Sequence, residues 1–208
     1  MNFFCLLWIP LFFLFRLAFV PVKEDGIIFA LPLGVVCVLV QWYFGELVAP
    51  GGFGLSRWMN GFTDIVCLPV LVSLVICLLL IAVKALPTDA DITGFILLFM
   101  IPFSVLRSIQ WSTPGIPVML VLVPILWTAL GTGISFFISC TRKYPRWYVI
   151  IPSALGIAVF PVIVATSWWA FYGQLALIGY LCLFASIIPL LIRTVLGIVK
   201  KKWLAVSG

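Results

Sequence analysis

Few residues in this chain have side chains suited to chemistry. Gln41, Glu46, Asp64 and Arg107 recur near one end of successive apolar stretches. A charge at membrane depth is costly, so such groups pair with one another or line a polar cavity. Arg107 is expected to pair with Glu46 or Asp64. Together with Gln41 they form the expected site for a polar or ionic ligand arriving from that side. The competing expectation is that the three charges sit at headgroup level and only mark helix ends. Gln41 lies deeper and is the best candidate for a buried polar group.

What is missing narrows the chemistry further. The chain has no histidine. His-ligated zinc, His-ligated haem, histidine bases and Ser-His-Asp triads are therefore excluded. Cys5, Cys37, Cys67, Cys77, Cys140 and Cys182 lie in or beside apolar stretches and form no C-x-x-C pair. They read as small apolar residues rather than metal ligands or a disulfide framework. The run Pro50-Gly51-Gly52-Phe53-Gly54 has no following Lys-Ser/Thr, so it is no phosphate loop. Asp89 and Asp91 precede an apolar stretch and read as helix-capping residues. No cofactor and no metal are expected.

The elements that must position these groups follow from composition. The chain has 208 residues, 65% hydrophobic and 9% charged, with a mean hydropathy of +1.33. Soluble domains carry roughly 25% charged residues, so the solvent expected here is lipid. Seven apolar stretches, at about 3–20, 27–48, 65–86, 92–109, 116–140, 148–171 and 175–199, are each long enough to cross a bilayer. The predicted fold is all-α: one polytopic transmembrane helical bundle over residues 1–208. A basic cytoplasmic tail at 200–208 ends it. The first stretch lacks a basic leader and a small-x-small cleavage site, so it is read as a span.

Charge sets the expected orientation. With the N-terminus outside and the C-terminus inside, the inner side holds Arg16, Lys23, Lys84, Arg142, Lys143, Arg146, Arg193, Lys200, Lys201 and Lys202. Only Arg57 and Arg107 remain outside. This is the positive-inside pattern. Arg142, Lys143, Arg146 and Lys200 to Lys202 are expected to meet anionic lipid at the inner face, or to dock a cytoplasmic subunit. Nucleic acid is not an expected partner. A bacterial inner membrane is the default location. Trp42, Tyr43, Trp58, Trp111, Trp168, Trp169 and Tyr172 form an expected outer aromatic belt, and Tyr144, Trp147, Tyr148 and Trp203 an inner one.

Every stretch contains proline, including Pro102, Pro124, Pro161 and Pro189 well inside theirs. Proline removes a helical hydrogen bond and kinks the helix, which favours a cavity or hinge. Small residues four apart mark expected packing faces: Ala30 and Gly34, then Gly131, Ser135 and Ser139, then Ala154 and Ala158. In the outer loop, Leu55, Trp58, Met59 and Phe62 share one helical face, with Ser56, Arg57, Asn60 and Gly61 opposite. That predicts a short amphipathic helix in the interface, serving as a lid or an anchor.

These features bound the function without naming a substrate. The leading expectation is a non-catalytic, transport-related subunit, permease-like or substrate-binding, working with partner membrane or cytoplasmic chains. A structural or assembly subunit of a larger membrane complex is the alternative. A membrane-embedded enzyme acting on lipid or peptide ranks last, because Glu46 and Asp64 have no histidine partner.

Overall fold

A computed structural model describes residues 25–45, 55–65, 69–111, 119–173, 175, 177–188, 191–192 and 195. The expected span at 3–20, Glu46 and the tail with Lys200, Lys201 and Lys202 lie outside the described residues. All regular structure within them is helical. A 3-10 turn, Asp25–Phe29, leads into α1, Ala30–Gly45. Then come α2, Leu55–Ile65; α3, Leu71–Ala82; α4, Asp89–Trp111; α5, Met119–Lys143; and α6, Trp147–Tyr172. A shorter apolar helix, α7, covers Leu177–Ile188.

Three of these, α4, α5 and α6, contain stretches long and apolar enough to cross a membrane: Asp89–Leu106, Val123–Lys143 and Trp147–Phe171. α3 has 12 residues. At 1.5 Å per residue it covers about 18 Å, against a hydrocarbon thickness of about 30 Å. Ile65, expected to open the third span, instead closes α2. Pro69 and Val70 form a π turn that leads into α3. Pro102, Pro124, Pro152 and Pro161 lie inside helices, where each deletes an internal bond.

α4 and α5 form the centre. α4 packs against α1, α3 and α5, while α5 also packs against α6, which in turn carries α2. Phe95, Phe99 and Phe103 recur every fourth residue down α4 and form a ladder of ring contacts that ends on Trp127 of α5. Phe99, Phe103 and Trp127 are fully buried. The helices approach closely where glycine allows it. A Cβ on Gly34 would lie 2.5 Å from the Phe99 carbonyl oxygen, so α1 rests directly on the α4 backbone. Gly131 faces Leu97, Ile96 and Met100 of α4.

The α3–α4 turn is built by side chains. Lys84 sits in the left-handed region at φ 60 and closes α3, its N–H bonding the Ile81 carbonyl. Thr88 and Asp91 cap α4 reciprocally: the Thr88 N–H and hydroxyl donate to Asp91 Oδ2 at 3.1 and 2.5 Å, and the Asp91 N–H donates to Thr88 Oγ1 at 3.1 Å. Arg142, at the end of α5, donates to the Leu86 carbonyl at 3.0 Å and to that of Pro87. One guanidinium thus ties the α3–α4 turn to the α5–α6 turn.

Candidate functional site: a buried hydroxyl seam

Thr128, Thr132, Ser135 and Ser139 follow one another at spacings of four, three and four, which places them on one face of α5. All four are buried. The seam runs for about 16 Å along the helix, roughly half the thickness of a hydrocarbon core. α4 answers it with Asp91, Thr93 and Ser104, also buried. Thr93 Oγ1 donates to the Asp89 carbonyl at 2.8 Å and lies 3.3 Å from Ser135 Oγ. Ser135 Oγ donates to the Thr132 carbonyl at 2.8 Å, and Thr128 Oγ1 to that of Pro124 at 2.7 Å.

Three buried groups along this pair of helices have no hydrogen-bond partner among the described residues: Ser104 Oγ, Trp127 Nε1 and Thr132 Oγ1. Leaving such a group unpaired costs about 1–3 kcal/mol. Phe103, next to Ser104, stacks on Trp127 with ring centroids 6.2 Å apart, so these two orphans sit at one depth. Pro102 lies at the same level and removes the N–H that would have met the Leu98 carbonyl. Among the described residues, the α4–α5 pair is therefore short of hydrogen bonds near its prolines.

The expected outer cluster is placed only in part. Gln41 is buried near the end of α1. Asp64 lies in the last turn of α2 and Arg107 in the last turns of α4. Their charged groups, like Glu46, lie outside what the structure describes, so no pair among them is assigned. Among the described residues, no group of three or more Cys, Asp or Glu is placed to hold a metal ion.

The amphipathic helix forms, but its packed face differs from expectation. Trp58 Nε1 donates to Thr166 Oγ1 of α6 at 3.1 Å, and Phe62 stacks on Trp58. Gly61, expected on the polar face, is buried where an added Cβ would strike the Trp168 ring at 2.1 Å. Leu55 and Met59 point outward. The reason is local: only glycine lets α2 settle on the flat indole of Trp168. Trp168, expected in the outer belt, is consequently covered at 7% exposure.

The small-residue faces divide. Ala30 and Gly34 lie against α4, and Gly131, Ser135 and Ser139 lie in the α5 interior. Ala154 and Ala158 are exposed and pack on none of the described helices. α6 instead meets α5 through Ser153, Gly156 and Phe160, where Phe137 covers Gly156 and Phe160 covers Gly133. Phe137 of α5 and Phe160 of α6 each fit against a glycine of the other helix and leave the alanine face turned away.

Sequence reasoning missed Thr93, Ser104, Trp127, Thr128 and Thr132. The signal was the 4-3-4 hydroxyl spacing on α5, which a search for charges passes over.

The fold thus defines a class: among the described residues the protein is all-helical, with three helices long and apolar enough to cross a membrane. Comparisons with protein-family models, curated proteins and solved structures return no match.

Proposed function

We propose that the protein is a multi-pass membrane protein with seven spans, N-terminus out and C-terminus in, acting as a non-catalytic transport-related subunit with partner chains. One observation carries this reading: the hydroxyl seam on α5, the most enclosed long helix, with orphan polar groups at the proline level. Polar groups in a membrane interior are expensive and mark the paths of polar solutes. Apart from Asp91, whose carboxylate is held by Thr88 at one end, the seam offers hydroxyls and an indole N–H without net charge, so the path suits a small polar solute rather than a tightly held ion. The prolines of α4 and α5 are the hinges that open it. Antiparallel contacts support the alternation of spans. Thr93 meets Ser135 at one end, and Phe103 meets Trp127 toward the other. Arg142, Lys143, Arg146 and Lys84 gather at the first end, which makes it the cytoplasmic one by the positive-inside rule. A bacterial inner membrane fits that assignment.

The test is cysteine accessibility in intact membranes. Thr128, Thr132, Ser135 and Ser139 are replaced one at a time by Cys, and labelling by a membrane-impermeant methanethiosulfonate is compared with Leu155→Cys on the outer face of α6. The path reading expects the seam positions to label faster, on top of the native-cysteine background. Labelling no faster than at Leu155 would remove it.

A second reading, an assembly subunit, is favoured by one observation: the exposed Ala154 and Ala158 on a helix whose spanning stretch is only 28% buried. It expects Ala154→Leu to release a co-purifying subunit while seam variants remain silent.

A further inference from the structure

The turn joining α5 to α6 carries Lys143, Tyr144, Pro145, Arg146, Trp147 and Tyr148, all exposed. We propose that this turn is a binding site for the phosphate headgroup of an anionic phospholipid in the adjoining leaflet.

Three observations carry the assignment. First, the two cations are held in place. Arg146 Nη1 donates to Tyr148 Oη at 2.8 Å, and its guanidinium carbon stands 5.9 Å from the Tyr148 ring centre. Lys143 Nζ stands 5.4 Å from the Tyr144 ring centre. A guanidinium has five N–H donors, so most of those on Arg146 remain for a phosphate. Second, neither cation has an acidic partner among the described residues. Asp91 at this end is occupied with Thr88, and the exposed Asp89 bonds neither cation. Third, the cations are flanked by Trp147, 74% exposed, and by Tyr144 and Tyr148, about half exposed. Exposed Trp and Tyr beside an apolar helix face belong at headgroup level, with the rings along the acyl boundary. Ile150, Ile151 and Leu155 continue that apolar face down α6. An acidic protein segment would match the charge but would leave this aromatic and aliphatic surface uncovered. A phospholipid matches both halves.

Arg142 is excluded from the site, because its guanidinium is spent on the Leu86 and Pro87 carbonyls. It serves the site by fixing the α3–α4 turn, with exposed Lys84, at the same end.

The inference rests on the membrane reading but not on which side the turn faces, and the test separates the two. The full-length protein is purified in a mild detergent and titrated with phosphatidylglycerol or phosphatidylcholine, and retained lipid is counted by native mass spectrometry. Wild type is expected to retain phosphatidylglycerol selectively. A basic side chain near an anionic surface is worth about fivefold in affinity, so the double variant Lys143→Gln with Arg146→Gln should lose about twenty-fivefold. Tyr148→Phe keeps the ring, frees Arg146 and should lose less. A Lys84→Gln control, which leaves Arg142, Lys143 and Arg146 untouched, should keep most of the preference in place. Equal retention of the two lipids by wild type, or undiminished preference in the double variant, would overturn the proposal. So would a stoichiometric protein partner that the double variant alone releases. Failure of the sidedness reading would appear separately, as labelling of a Tyr144→Cys variant from the periplasmic side.

Discussion

Gly34 and Gly131 both sit in helix interiors on α4-facing surfaces, yet alanine should act on them in opposite directions. In an exposed helix, Gly to Ala gains about 1 kcal/mol. At Gly131 the nearest atoms to a new Cβ are Leu97 Cδ2 at 3.3 Å, Ile96 Cγ2 at 3.4 Å and Met100 Cγ at 3.6 Å. Those are side-chain atoms that yield a few tenths of an ångström, so most of the gain survives. At Gly34 the Cβ lands 2.5 Å from the Phe99 carbonyl oxygen and 3.3 Å from Pro102 Cγ. Neither a helical carbonyl nor a proline ring has a rotamer to change, so α1 must lift off α4. Overpacking costs about 1–3 kcal/mol, and an unyielding backbone puts this case at the upper end. The net is about 2 kcal/mol lost at Gly34 and about 1 kcal/mol gained at Gly131. For a chain of this size the two variants should melt about 6–12 °C apart. The assay is thermal unfolding of the purified protein in detergent, followed by a thiol-reactive coumarin that reports exposure of buried Cys77. If Gly34→Ala melts at or above wild type, or Gly131→Ala falls as far as Gly34→Ala, the described α1–α4–α5 packing is wrong.

Other variants probe the remaining contacts. Ser104→Ala and Thr132→Val remove orphan hydroxyls, so each should leave the melting point unchanged or raise it by up to about 1 kcal/mol of stability; a clear loss in the same melt would mean the hydroxyls have partners. Arg142→Gln removes two bonds from a charged donor to the α3–α4 turn and should cost about 1–2 kcal/mol. Thr88→Val should cost about 1 kcal/mol through the lost cap, with both losses read in the same melt. Trp58→Phe keeps the stack on Phe62 but loses the bond to Thr166; amide exchange in 55–65 should quicken while that in α4 and α5 stays slow, and unchanged exchange would show that the bond does not hold α2.

How much of this was legible depends on which signal each element leaves in the sequence. Long apolar runs predict helices, and α4, α5 and α6 begin and end within about three residues of the stretches read from hydropathy. The amphipathic helix was legible from its i, i+3, i+4, i+7 pattern, but its docked face was not. Gly61 counts as polar by type and turns inward because a partner ring, distant in sequence, accepts only glycine there. Ala154 and Ala158 turn away from α5 for a related reason. In a bilayer no hydrophobic term separates inside from outside, so small-residue spacing names two possible faces of α6. Phe137 and Phe160 choose between them, and no local pattern announces that choice.

The distribution of polarity is itself an argument about the solvent. The spanning stretch of α5 is 78% buried and carries the hydroxyl seam, whereas that of α6 is 28% buried. The exposed face of α6 holds Trp147, Ile150, Ile151, Leu155 and Val159. In water this arrangement is upside down: hydroxyls are desolvated without full pairing while large apolar side chains are left in solvent. The same arrangement is stable when the outer solvent is hydrocarbon, because the exposed aliphatic face then costs nothing. Serine and threonine suit close packing between membrane helices as glycine and alanine do. The feature that needs a reason is the set of buried polar groups on α4 and α5 with no hydrogen-bond partner among the described residues, Ser104, Trp127 and Thr132. That surplus of polarity, more than the outer charges, is where a solute path should be sought.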